Sequence, residues 1–264
     1  MTNPDRERLR ATFDTAAERY ERARPGYPPA LFADLAELAD LAPGARVLEI
    51  GCGTGQATIP MAERGYTVVA VELGPGLAAV AQRKLRDFTN VTVVVAKFED
   101  WPLPDQPFDA VVAATAFHWL DPATRVSKSA DALRASGALA TVSTHHIAAG
   151  DVAFFAEVQE CYERWDPATP PGLRLQPAND IPFDTEELDG FGPPAFRRYE
   201  WTQTYSTAEY LEVLQTYSGH LLLPPHLRQG LLECIARLID TRYSGSITKG
   251  YMTELRVARR SFRQ

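Results

Sequence analysis

The chain of 264 residues predicts an α/β fold, a mostly parallel sheet with helices on both faces. Three observations carry that expectation. Apolar runs of strand length alternate with segments of helical period from the start of the chain to about residue 145, which is the pattern of successive β-α-β units. The run Val47-Leu48-Glu49-Ile50 passes directly into Gly51-Cys52-Gly53-Thr54-Gly55, with glycines at alternate positions. A second apolar run, Val68-Val69-Ala70-Val71, ends in the acid Glu72.

Leu9, Phe13, Ala16 and Tyr20 fall at helical spacing and predict a helix over about 5–21. Arg24-Pro25-Gly26-Tyr27-Pro28 is a rigid connector, and Leu31, Leu35 and Leu38 mark a second helix that stops near Pro43-Gly44. A strand at 45–50, a helix over about 56–64 closed by Gly65, and a strand at 67–72 follow. Leu77, Val80, Ala81, Leu85 and Phe88 give the next helix. Val91-Thr92-Val93-Val94-Val95 is a β-branched run that reads as a strand buried on both faces. The fourth strand covers Phe108 to Ala114. Asp121 then caps a helix whose first residue is Pro122 and which Gly137 ends. The fifth strand runs from Ala138 to about Thr144.

Beyond that point the pattern changes. Phe155, Val158, Tyr162 and Trp165 predict a helix, followed by a proline-rich stretch from Pro167 to Pro194. Tyr199, Trp201 and Tyr205 alternate as in a half-buried strand, and Ser206-Thr207-Ala208-Glu209 is a capping box opening a helix to about Tyr217. Leu227, Leu231, Ile235 and Leu238 mark a further helix, and 246–258 a last strand. The expected organisation is one domain over 1–264: a helical cap (1–44), a ligand-binding core (45–145), a lid insertion (146–195) and a part that returns to core and cap (196–264).

Net charge is -7, and the sequence pI of about 5.3 argues against a general polyanion binder. Residues 151–190 carry ten acids against Arg164 and Arg174, net -8, while 241–264 carry six bases against Glu254, net +5. Both read as solvated surface. Cys52, Cys161 and Cys234 are odd in number and widely spaced, so they read as buried free thiols of a reducing compartment. The N-terminus has no apolar signal-like region, and no run of about 18 apolar residues occurs. The expectation is a soluble, cytoplasmic protein with no membrane partner, monomeric or homodimeric.

Glycines let a backbone approach a ligand closely, and an acid at the next strand's carboxyl end can accept from two ribose hydroxyls. The pair therefore describes a nucleoside-shaped pocket. A dinucleotide fingerprint, G-x-G-x-x-G, would need glycine at position 56, where this chain has Gln56. The text E-x-G-x-G-x-G, here Glu49 to Gly55, with Glu72 resembles the class I S-adenosylmethionine (SAM)-dependent methyltransferases. Phe108-Asp109-Ala110-Val111-Val112-Ala113-Ala114-Thr115-Ala116-Phe117-His118-Trp119 is similar to the fourth-strand text F-D-x-V…A-x-H-W of a small-molecule group among them. The N-terminal Phe13, Tyr20 and Arg24 to Pro28 are similar to that group too.

The resemblance covers residues 45–145. It implies a seven-stranded Rossmann-like sheet whose last strand is antiparallel, with SAM across the carboxyl ends of strands one to four. It places Gly51, Gly53 and Gly55, with Glu49 and Cys52 in the same segment, against the methionine moiety and ribose. Glu72 would take the ribose hydroxyls, beside Leu73. Phe98 and Glu99 would border the adenine, Glu99 standing in for the acid that the family often has where this chain has Lys97. Tyr20, Thr115, Phe117 and Trp119 complete the expected cofactor-binding set.

Methyl transfer from a sulfonium is an in-line displacement, so the protein's task is to position and desolvate the nucleophile, with aromatic faces favouring the sulfonium. A hydroxyl or thiol acceptor calls for a base, for which His118, at the end of strand four, and His145 and His146, at the end of strand five, are the candidates. No metal is expected, because Ala113, Ala114, Thr115 and Ala116 supply no carboxylate at the fourth strand's end. Nucleic acid fits poorly: the acid- or Asn-Pro-Pro-aromatic text and the Pro-Cys pair of base methylation are both absent. The expected reaction is transfer from SAM, giving S-adenosylhomocysteine, to a small organic acceptor under a lid from about 146–220. Phe154, Phe155, Trp165, Tyr217 and His220 are candidate lining residues. The acidic stretch hints at a neutral or cationic acceptor. The rivals are a non-methylating activity on the same scaffold, a binding module without transfer, and protein methylation.

Overall fold

The computed structural model describes residues 16–261; Leu9, Phe13 and most of the helix read over 5–21 lie outside them. The described chain begins with α1 (Ala17–Ala23), α2 (Pro29–Ala39), β1 (Arg46–Ile50), α3 (Thr58–Glu63), β2 (Thr67–Glu72), α4 (Pro75–Leu85), β3 (Val91–Val95) and β4 (Phe108–Ala114). It continues through α5 (Arg125–Ala132), β5 (Leu133–Gly150), α6 (Val152–Glu157), α7 (Gln159–Trp165), β6 (Ala195–Ser206), α8 (Thr207–Leu214), α9 (Ser218–Leu222), α10 (Pro225–Arg242) and β7 (Ser246–Arg259). Among the described residues seven strands form one sheet in the order β3-β2-β1-β4-β5-β7-β6. The pairs from β3 to β5 are parallel. β7 enters antiparallel between β5 and β6, as the resemblance implies.

Side chains that alternate along the central strands separate the two faces. Val47, Val68, Ala70, Ala110 and Val112 pack with Leu31, Leu35, Met61 and Leu85 on one side. Leu48, Ile50, Val71, Val111 and Leu139 pack with Phe98, Phe108, Leu120 and Leu133 on the other. A further apolar cluster joins helices α6, α8 and α10, which form a cap over this end of the sheet, to β6 and β7, where Phe154, Phe155, Tyr210, Leu231 and Ile235 meet Tyr205 and Tyr251. The ring of Trp165 lies against Gly230, where a Cβ would fall 2.4 Å from it; only glycine admits that approach. The expected capping box is present, Ser206 and Glu209 bonding reciprocally at the start of α8.

Several expectations are corrected. β3 is the sheet's edge and none of its residues is fully buried; a run of valines does not distinguish a central strand from an edge covered by helix on one side. The fifth strand extends to Gly150, through His145 and His146, because β7 supplies a partner along that length. α5 starts at Arg125 rather than Pro122. Asp121 instead accepts from the Ala123 amide at 3.1 Å and so closes the turn before the helix. The helix expected around Phe155 to Trp165 divides at Val158 into α6 and α7. Cys161 and Cys234, read as free thiols, form a disulfide that ties α7 to α10, their Cα atoms 5.8 Å apart. Packing of those two helices, and not spacing in the chain, creates the pair. The basic C-terminal stretch is not all surface either: Lys249 and Arg256 are each 4% exposed.

The proline-rich stretch follows the end of the sheet that carries β7. Arg256 donates to the Asp184 and Glu186 carbonyls, Leu188 joins the second face's core, and Ala178 packs on Ile147 and Met252. No described helix is long and apolar enough to cross a membrane.

Candidate active site

The turn after β1 holds the site together. Gly51, Gly53 and Gly55 all adopt positive φ, at 68°, 58° and 87°, a region that costs any other L-residue about 1 kcal/mol or more. Gly51 is restricted twice, since a Cβ there would lie 2.7 Å from the Cβ of Ala116. Its amide donates to the Val71 carbonyl at 2.7 Å, stitching the turn to β2. At the end of β2 the Glu72 carboxylate accepts from two backbone amides, Gly53 at 2.8 Å and Gly74 at 2.9 Å. These bonds fix the acid at the mouth of the glycine turn.

A cavity of about 350 Å³ opens on that turn. Among the expected residues it gathers Tyr20, Gly51, Gly53, Glu72, Leu73, Phe98, Thr115, His118, Trp119 and His146. Others stand apart from it. Glu49 lies beneath the turn, 1% exposed, accepting from the Thr58 hydroxyl at 2.6 Å. Burial pushes its carboxyl up to about 7, the Thr58 bond opposing and the nearby Glu72 charge adding to the rise. Cys52 is buried beside it with its thiol pushed up by the same desolvation, and Gly55 packs against Leu85. Glu99 accepts from the Asp121 amide at 3.1 Å. Phe117 lies under the Arg125 guanidinium, 4.8 Å from its ring centre, and faces a smaller cavity of about 220 Å³. His145 turns away from the larger cavity, its Nε2 3.1 Å from the Ser143 hydroxyl.

The three histidines therefore differ. His118 borders both cavities, and burial, helped by Arg125, lowers its pKa. His146 lines the larger cavity with Nε2 3.3 Å from the Tyr217 hydroxyl. Burial first, then Lys249 and Arg24, hold it well below its ordinary range. The lowered pKa of each leaves it unprotonated and able to accept a proton near neutral pH, but makes it a weaker base than an ordinary imidazole.

The roof of the cavity comes from distant parts of the chain. Tyr20 reaches over Gly53. Tyr27 donates to or accepts from the Thr115 hydroxyl at 3.0 Å, and Thr115 holds a left-handed φ of 56° at the end of β4. That conformation is unusual for a β-branched residue and aims the end of β4 at the cavity. Arg24 is a lining residue that sequence reasoning treated only as part of a connector. Its Nε donates to the Thr216 hydroxyl at 2.8 Å and its Nη2 to the Thr216 carbonyl at 3.0 Å. Its guanidinium stacks 4.3 Å from the Tyr217 ring centre. A basic residue beside Tyr20 in a segment already singled out was the available signal. Of the expected lining residues from the cap, Tyr217 reaches the cavity. Phe154 and Phe155 belong to the cap core, and His220 is paired with the Tyr162 hydroxyl at 3.0 Å.

The arrangement fits SAM. The glycine turn leaves a cradle that a Cβ at residue 51 would fill, Glu72 offers carboxylate oxygens at the next strand's end, and Arg24 presents a cation. Comparison with known proteins agrees. Residues 47–137 match the model of a methyltransferase domain. An uncharacterized methyltransferase of Mycobacterium tuberculosis is 31% identical over 234 residues, 87% of this chain and 86% of its own. A structure described as a type II methyltransferase from Anaeromyxobacter dehalogenans superposes with a TM-score of 0.57 at 26% identity, covering 89% of this chain and 97% of that one. Phosphoethanolamine N-methyltransferase 2 of Haemonchus contortus, in complex with SAM, has the same fold at a TM-score of 0.53 and 18% identity, covering 94% of this chain and 57% of its own. With a cradle of this shape and a relative alike over most of both chains, the protein belongs to the SAM-dependent methyltransferases.

Proposed function

We propose that this methyltransferase acts on a small organic acceptor held beside the donor, under a roof made from residues 20–27 and 216–218. SAM supplies a methyl group on a sulfonium, already a strong electrophile. In this reading Glu72 accepts from the ribose hydroxyls, Phe98 and Leu73 flank the adenine, and the glycine turn admits the backbone-close part of the donor. Arg24, with no carboxylate partner among the described residues, faces the donor's amino-acid carboxylate. Tyr20, Trp119 and His118 exclude water from the reacting end. Glu49, Cys52 and Gly55 act beneath the turn by holding its shape, and Glu99 and Phe117 brace the segment after β4.

The observation that carries the reading is the single cavity that joins the glycine turn, Glu72 and a wall of rings and histidines. Its size, about 350 Å³, lies at the lower end of small-ligand sites; the donor would take most of it, which leaves room beside it for a compact acceptor rather than a protein segment. Calorimetry and melting curves with SAM, S-adenosylhomocysteine and NAD test it. Binding of the first two without NAD is expected, and Arg24→Gln should weaken SAM at least tenfold. Equal affinity of Arg24→Gln and wild type would remove Arg24 from the donor site.

A further inference from the structure

We propose that the methyl acceptor is a carboxylic acid, bound as its carboxylate with its charge turned toward Lys249, and that the product is a methyl ester. The inference rests on the donor-site reading above and names the acceptor's class.

Lys249 is 4% exposed on β7, and among the described residues no acid forms an ion pair with its side chain; burial first, then the Arg24 charge, lower its pKa to about 7, so an anion beside it would restore the full ammonium. Four rings surround it at 5.2–5.9 Å from their centres: Phe155, Tyr210, Tyr251 and Tyr217. Aromatic faces compensate only part of the cost of taking an ammonium out of water, and a buried cation ordinarily has a counter-charge. Strand register shows where that counter-charge would come from. Lys249 and Tyr251 share one face of β7, and Tyr251 pairs with His146 of β5. The ring of His146 contacts those of Tyr251 and Tyr217, at 5.5 and 5.4 Å. His146 and Tyr217 line the cavity, and the ammonium lies behind that wall, 5.9 Å from the Tyr217 ring centre.

The cavity's own charges point the same way. Arg24 is the cation on its lining, and Glu72, already accepting from Gly53 and Gly74, is the one acid on it among the described residues. Of the ten acids between 151 and 190, none lines it, and seven are exposed, which removes the basis for expecting a cationic acceptor. With Arg24 matched by the donor's own carboxylate, an ammonium acceptor would still meet Lys249 and the donor's sulfonium, and beyond Glu72 no acid among the described residues lines the cavity to receive it. A neutral hydroxyl would need a base, and His118 and His146 are both weakened by burial. A carboxylate arrives ionised and needs none. One of its oxygens forms the bond to the methyl carbon while the carbon–sulfur bond breaks, the electron pair stays on sulfur, and no proton moves.

The experiment uses the whole chain loaded with S-adenosylhomocysteine and a panel of matched aliphatic and aryl carboxylic acids, primary amides and amines. Melting curves report binding, and transfer of labelled methyl from SAM reports reaction, with esters recognised by release of the label as methanol in mild base. Acids are expected to raise the melting temperature and to yield base-labile product, while amides and amines do neither. Lys249→Met should weaken the acids at least tenfold with S-adenosylhomocysteine affinity unchanged within threefold, and Lys249→Arg should recover part of the loss. Binding by no acid, binding by amines, or a base-stable product from the wild type overturns the proposal, whatever the variants do. Equal acid affinity in Lys249→Met overturns the role of Lys249. Absence of S-adenosylhomocysteine binding would instead bring down the donor-site reading.

Discussion

Replacing Glu72 by Gln tests the site at its most constrained point. The two side-chain oxygens accept from the Gly53 amide at 2.8 Å and the Gly74 amide at 2.9 Å. In Glu72→Gln one oxygen becomes an NH2 group, so one of those amides faces a donor and loses its partner. A hydrogen bond to a charged group contributes about 1.5–3 kcal/mol. In a chain of this size each kcal/mol moves the melting temperature by about 2–4 °C, so the variant should melt roughly 3–12 °C below wild type. The ribose loses one charge-assisted acceptor as well, and the same energy corresponds to a Kd for S-adenosylhomocysteine about 10- to 100-fold weaker. Scanning fluorimetry and titration calorimetry on the same preparation read both numbers. If the variant melts with wild type and binds equally well, the reasoning is wrong at its base. If it melts lower but binds equally well, Glu72 is a brace for the turn and the ribose lies elsewhere.

Further expectations follow from the same geometry. Gly51→Ala places a Cβ at a φ of 68° and 2.7 Å from Ala116; the strain alone is about 1–2 kcal/mol, so the variant should melt lower and bind S-adenosylhomocysteine at least tenfold more weakly, and a wild-type isotherm would refute the cradle. Glu49, raised to about 7 by burial, keeps its proton in the folded state after the unfolded chain has lost it near 4.5. Its contribution to stability is therefore largest at and below pH 4.5 and falls as pH rises to 7, by on the order of 3 kcal/mol. Urea unfolding across that range should show the slope in wild type and a flatter one in Glu49→Gln; equal slopes would contradict the buried acid. The Cys161–Cys234 bond closes a separation of 73 residues, for which loop entropy gives about 4 kcal/mol. Cys161→Ser/Cys234→Ser should lower the urea midpoint under oxidising conditions, and dithiothreitol should do the same to wild type; no change in either would mean the bond adds nothing to stability.

Much of the floor of the site was legible in the residues themselves. β2 ends at Glu72 and β4 at Ala114, as read, because an apolar run that stops at an acid or a polar turn marks its own boundary. The glycine turn could be read because positive φ leaves few residue choices. What could not be read depends on partners far away in the chain. The length of β5 depends on β7, about a hundred residues later, and the edge position of β3 depends on strand order, which no local period encodes. The disulfide and the burial of Lys249 arise when α7 packs on α10 and β7 enters the sheet. Neither residue's neighbours in sequence carry any trace of that. Arg24 lay in a segment singled out for its prolines and aromatics, yet its place on the cavity wall depends on Thr216 and Tyr217 folding over it.

The bonds from Arg24 to Thr216 join two pieces of chain 192 positions apart above the cradle. Floor and ceiling thus come from different stretches of sequence and can change independently. Substitutions in the ceiling outside Tyr20 and Arg24 would retune which molecule is modified while those two residues and the strand ends below go on gripping the same donor. A family built this way can diversify its chemistry of acceptance without re-inventing its source of methyl groups.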